Sequence, residues 1–159
     1  MQDFFLKLTG IDGESQDAKH PREIELISYS WAVSQKSSMH SGSGGGSSKA
    51  TAGDFVFDHY TDRSSPNLFR YCMTGKHIES AVFVARKAGG NPLEYLRLTM
   101  SDVIVTGLNS VLLETMPRQR EKVSLSFARV KQEYVVQNAR GGSAGTVAAA
   151  YDIQANREM

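Results

Sequence analysis

A period of two in the apolar residues limits the fold of this chain more than any other feature. Phe4, Leu6 and Leu8 alternate with Phe5 and Lys7, as side chains do along a strand with two unlike faces. From Glu23 to Val33 the odd positions Ile27, Tyr29, Trp31 and Val33 are large and apolar. The even positions Ser28, Ser30 and Ala32 are small. This predicts a single strand with one core face and one smooth, nearly polar face. Asp54–Tyr60 reads as a further strand. Ala81–Lys87 and Leu93–Met100 flank Ala88-Gly89-Gly90-Asn91, a hairpin signal in which glycine supplies positive φ. The second of these continues through Val103, Ile104 and Val105. In 122–137, Val123, Leu125 and Phe127 share one face, and Val130, Tyr134 and Val136 take over on the opposite parity. That shift predicts a β-bulge near Ala128. Residues 147–153 are Ala-rich enough for a helix, but Val147, Ala149, Tyr151 and Ile153 alternate, which favours a last strand. The count is seven to nine strands.

One helix interrupts this pattern. Ser65 is placed to be its N-cap and Pro66 its first residue, where a missing N–H costs nothing. Leu68, Tyr71 and Cys72 form one stripe, and Gly75 is the stop signal. Two stretches cannot pack a core: the Ser/Gly-rich 34–51 and the similar 138–146. The first is too long for a tight turn, and loops of that length are usually functional or disordered.

Composition sets outer bounds. A length of 159 residues is one domain's worth, and 40% hydrophobic with 22% charged residues excludes wholesale disorder. Lys plus Arg is 18 against 17 Asp plus Glu, so the basic surplus usual for a nucleic-acid partner is missing. Cys72 is the only cysteine, which excludes an intrachain disulfide and a cysteine-based zinc cage. No stretch approaches the roughly 18 apolar residues of a membrane-spanning helix. MQDFFLKLTG has neither a basic region nor a long apolar run. The expectation is therefore a chain made in the cytoplasm, exported, if at all, without a cleaved leader.

The motifs that suggest chemistry fail on inspection. Gly141-Gly142-Ser143-Ala144-Gly145 matches the G-x-S-x-G elbow, but that motif needs a histidine downstream, and His20, His40, His59 and His77 all lie upstream. In the glycine run from Gly42 to Lys49, two serines separate the last glycine from the lysine that a phosphate loop requires. Ser47 also stands where a dinucleotide motif needs its third glycine. The histidines form no close pair. Asp17, Glu23 and Glu25 read as solvated charges rather than an acid–base pair. Trp31 reads as core. Taken alone, the residues describe a mainly-β domain with one helix. Such a domain is a binding or assembly module, because its strand edges must be covered or paired.

Beyond this, the chain resembles the Hcp (haemolysin-coregulated protein) family, the tube proteins of type VI secretion. The likeness begins with FFLKL, Gly13-Glu14-Ser15, Asp17-Ala18-Lys19-His20 and Glu23-Ile24. It continues with Ser30-Trp31, then Ser38-Met39-His40 running into glycines and Lys49. Ser65-Pro66-Asn67-Leu68, Gly75-Lys76-His77, Arg86-Lys87-Ala88-Gly89-Gly90 and Glu94-Tyr95-Leu96 follow in order. Val123-Ser124-Leu125-Ser126-Phe127-Ala128 and Tyr134 complete it. Tyr29 stands where the family often has Trp, and Ala32 where it often has Gly. Residues 107–121 and the tail after Ala139 follow the pattern poorly.

The resemblance implies a compact β-barrel of two packed antiparallel sheets with one flanking helix at about residues 66–75. It implies one domain over 1–159, with a flexible Gly/Ser-rich loop at 34–51. Six subunits would form a ring, and rings would stack into a tube. The tube would be exported through a contractile sheath, with baseplate and spike proteins as partners and effectors held in the lumen. No cofactor, metal, catalytic residue, nucleic acid or membrane insertion is implied. Ser28 and Ser30 become candidates for the lumen wall. Ser38, Met39, His40, Ser43 and Lys49 become candidates for ring stacking. The alternative left by the residues is a monomeric β-sandwich binding module.

Overall fold

The computed structural model describes residues 2–37, 50–89 and 92–159. Among these are eleven strands and one helix, more strands than the period alone suggests. β1 (Gln2–Leu8), β7 (Ile78–Lys87), β8 (Leu93–Val111), β9 (Arg120–Gln137) and β10 (Ser143–Asp152) are the long ones. β6 spans Phe55–Tyr60, and β2 (Ile24–Leu26), β3 (Ser28–Ser30) and β11 (Arg157–Glu158) are short. These nine form one sheet, in which the order β11-β10-β9-β8-β7-β1-β2 is hydrogen-bonded and β9 also carries β6 and then β3. All the pairings are antiparallel. β4 (Val33–Ser34) and β5 (Thr51–Ala52) form a separate two-stranded ladder.

The layers fold over one core of Phe55, Phe57, Phe83, Leu98, Met100 and Leu125, all nearly inaccessible. The mainly-β, packed-sheet architecture is as expected, but the barrel is not closed. Where a last full-length strand would complete a ring, the chain supplies β2 paired with β1, then β3 paired with β6.

The segment 23–33 is the reason. It is three short strands and not one. Ile24 and Leu26 are buried on even positions. The Ile27 amide then donates to the Asp58 carbonyl at 2.7 Å, and the inward parity moves to odd Tyr29. That ring lies 4.3 Å from Phe83, 5.3 Å from Phe4 and 5.8 Å from Phe55. A change of parity moves a strand's apolar set to the other face, and here it carries the chain from one layer to the next. Trp31 is half-buried against the core edge. Val33 is 62% exposed and belongs to the β4–β5 ladder instead. The stretch 34–51 therefore begins and ends in paired backbone, Val33 opposite Ala52 and Ser34 opposite Thr51.

A second change of parity occurs near Ala128, but without the expected bulge there. The β8–β9 register is unbroken from Leu96 opposite Tyr134 to Val105 opposite Leu125. Instead, three strands change phase together. Buried positions are Leu98 and Met100, then Val103 and Val105, on β8; they are Leu125 and Phe127, then Ala128, on β9. On β7 the core-facing ones are Ile78, then Ala81, Phe83 and Ala85, with Val84 buried on the other face. The hinge is Asp102, whose φ of 54° lies in the left-handed region. The one slip in this pairing falls elsewhere, between Val105 and Gly107.

The helix α1 (Ser65–Thr74) buries Leu68 and Tyr71 and ends at Gly75, whose φ of 68° lets its amide donate to the Tyr71 carbonyl. Its N-cap is Ser64, one residue earlier than the sequence suggests. The Ser65 hydroxyl accepts from the Asp62 amide at 3.1 Å and donates to Glu121 of β9, and Ser64 makes no side-chain cap bond. Ser143–Asp152 is a strand, β10, as the alternation favoured, and the short β11 follows it.

A smooth polar sheet face as the candidate functional site

The outward side of β3, β6 and β9 carries serines and charged residues, with Val56 among them. Ser28 lies opposite Asp58, and Asp58 opposite Lys122. One row along, Ser30 lies opposite Val56, and Val56 opposite Ser124. Facing positions in a row project to the same side, so these six residues, with Ser126, form one continuous face. Ser28 and Ser30 are exposed. The Ser28 hydroxyl donates to Asp58 Oδ2 at 2.9 Å, and the Thr106 hydroxyl donates to Asp54 at the neighbouring edge. Phe55 and Phe57 on the inward side of β6, with Val123 and Leu125 on β9, pin this wall to the core. The face offers hydroxyl hydrogen bonds and one opposed charge pair, with little apolar area.

Asp58, Lys122 and Ser124 were not singled out from the sequence. Their alternation with buried neighbours marks them as outward. Only the pairing of β3 with β6, thirty residues away, brings them to the two serines. The stacking candidates Ser38, Met39, His40, Ser43 and Lys49 lie outside the described residues.

Several residues that carry the family likeness meet at a second, structural cluster. Arg86 Nη2 reaches Asp17 at 2.6 Å and Asp3 at 3.1 Å. That hydrogen bond, with one from the Lys19 amide, lowers the Asp17 carboxyl to about 2. The bond to Asp17 and the one to Asp3 raise Arg86 above its ordinary range against the opposing effect of burial. The guanidinium sits 4.9 Å from the Phe5 ring centroid, and His20 stacks on the same ring at 4.3 Å. His20 Nδ1 bonds Glu23 at 3.0 Å, and Nε2 lies 3.3 Å from Glu94. These contacts fasten the 12–23 loop across β1 and β7.

Each described histidine is matched separately with carboxylates: His20 with Glu23 and Glu94, His59 with Glu121, His77 with Asp102. Among the described residues, no group of three or more His, Cys, Asp or Glu could hold a metal. Ser143 is exposed on the β9–β10 hairpin, where its hydroxyl accepts from the Gly145 amide at 3.2 Å.

Comparison with known proteins gives a consistent outcome. Residues 5–134 match the family model described as "Type VI secretion system effector, Hcp". Protein hcp1 of Pseudomonas aeruginosa is 40% identical over 144 residues, covering 90% of this chain and 89% of that protein. The crystal structure of Hcp1 from Salmonella typhimurium is 49% identical, with a TM-score of 0.83 and 99% of each chain covered. A type VI secretion system effector from Yersinia pestis is 41% identical, with a TM-score of 0.79, 94% of this chain and 99% of that one. The matched region includes the second half of β1, the polar face and the Asp17–Arg86 pair, so this chain belongs to the Hcp family of type VI secretion proteins.

Proposed function

We propose that this chain is the structural subunit of a type VI inner tube and acts without catalysis. Six copies close into a ring by head-to-tail contacts repeated about one axis. The rings stack into a tube that is made in the cytoplasm and exported through the sheath, baseplate and spike assembly. The Ser28–Ser30 face lines the channel and holds effector proteins there through weak, exchangeable hydrogen bonds. The stretch 34–51, with Ser38, Met39, His40, Ser43 and Lys49, contacts the next ring. The observation that carries this reading is the family match over residues 5–134. The smooth polar wall within that span supports it: a channel that passes folded cargo needs a surface with few apolar holds.

Light scattering on a size-exclusion column, followed by negative-stain microscopy, tests the ring. A mass near six subunits with annular particles is expected. A monomer at high concentration overturns the reading in favour of a β-sandwich binding module. Deleting 42–48 should leave rings intact and abolish tubes; loss of the rings themselves would remove that segment from the stacking role.

A further inference from the structure

Part of the sheet's core-facing side extends past the core. Beyond Val130, Tyr134 of β9 stands opposite Val147 of β10, and Gln132 opposite Ala149. Tyr134 is 46% exposed and Val147 65%. Between this face and the β4–β5 ladder lies a groove of about 440 Å³, lined by Trp31, Val33, Ala52, Val130, Ala149 and Tyr151 among others. The outer edge of β10 meets β11 at Tyr151 and Asp152, and the Met159 amide donates to the Ala150 carbonyl at 3.0 Å. Residues 141–151 contain no charge. A long, uncharged strand edge beside exposed apolar surface is the usual mark of a surface that pairs with another chain.

A matching projection lies at the other end of the same hairpin. β8 and β9 pair from Leu96–Tyr134, beside the groove, to Val111–Arg120. Fifteen residue steps of strand place these ends roughly 50 Å apart along the chain. At the far end Leu112 and Leu113 are 62% and 58% exposed. The Met116 amide donates to the Leu113 carbonyl at 2.8 Å, and the Leu113 amide donates to Met116 Sδ at 3.3 Å. The two leucines are thus held on a closed turn, which lowers the entropy lost on docking. The charges also match. Arg118 beside the turn rests on the Tyr60 ring at 4.2 Å and has no ion-pair partner among the described residues, and Glu158 on the groove wall has none either.

Turn and groove stand at opposite ends of one hairpin and so face different neighbours. We propose that the Leu112–Leu113 turn of one copy seats in the Trp31–Tyr151 groove of the next, with Arg118 toward Glu158, as a head-to-tail contact between stacked rings. This rests on the tube reading above and gives it an interface in a region, 107–121, where the sequence departs from the family pattern. A single turn in one groove is small beside the ~1,000 Å² of a stable interface. A ring repeats it once per subunit, so stacking becomes cooperative through multivalency.

The test uses the full-length chain, the double variant L112D/L113D and the groove variant Ala149→Arg. All substituted positions are exposed, and circular dichroism checks that the fold is kept. The milder L112S/L113S variant serves if the aspartates disturb it. Wild type should form stacks, and each variant single rings. An equal mixture of the two variants should form ring pairs of twice the ring mass, because intact turns then meet intact grooves. Variants that stack like wild type, a mixture that stays as single rings, or wild-type rings that never stack would overturn the contact while leaving the ring intact. A monomeric wild type overturns the tube reading itself, and the contact with it.

Discussion

Asp102 holds a conformation that L-residues adopt at a cost of about 1–3 kcal/mol, at the point where β7, β8 and β9 change phase together. Its carboxylate is bonded to His77 Nδ1, and Asp is among the few non-glycine residues that tolerate this region. Asp102→Val places a β-branched side chain at positive φ. It should lower the unfolding free energy by about 2 kcal/mol in urea titration, while Asp102→Gly should lower it much less. Equal losses would mean that the His77 bond matters and the backbone does not. Asp17 gives a pH signature. Its carboxyl titrates at about 2 when folded against an ordinary value of 3.8. Its contribution is therefore complete above 3.8 and is lost as the pH falls toward 2. Asp17→Asn should flatten the dependence of melting temperature on pH across that window. A profile parallel to wild type would show that Arg86 is held by Asp3 alone.

The helix is laid over the sheet, and a buried polar contact ties it down. His59 and Glu121 face each other across β6 and β9, with side chains 1% and 4% exposed. His59 Nε2 donates to Glu121 Oε1 at 2.8 Å, and the Ser65 hydroxyl donates to the same oxygen at 2.6 Å. Burial raises the Glu121 carboxyl, and the two hydrogen bonds more than offset this, leaving it below its usual range. His59→Ala strands a buried carboxylate on a single donor and should cost about 3 kcal/mol, read from the thermal unfolding midpoint. A loss no larger than that of an exposed substitution would show that water replaces the ring. From the sequence, α1 and its Gly75 stop were legible because capping and stripe depend on neighbouring residues. The true N-cap, Ser64, was not, because the competing partner of Ser65 is fifty-six residues away.

For the whole molecule, the polar wall and the uncovered groove both follow from how the strands pair. Ser30 is exposed on that wall opposite Val56. Ser30→Gln should leave the ring mass unchanged and reduce co-purification of an effector about tenfold. Unchanged cargo binding would place the face outside the channel. Sequence by itself determined that this chain folds as strands with one helix, and it placed β1, β6, β7, β8, β9 and β10 closely, because period, turn residues and caps are properties of adjacent positions. It also showed Ser28 and Ser30 as small residues facing away from large ones. It read 23–33 as one strand, since side-chain parity shows a face and not the layer to which that face belongs. Only the tertiary structure decided that Ile27 is a crossing point, that Asp102 turns three strands at once, and that Asp58 and Lys122 complete the wall. Those outcomes rest on hydrogen bonds between residues distant in the chain, and no local pattern encodes which distant partner wins.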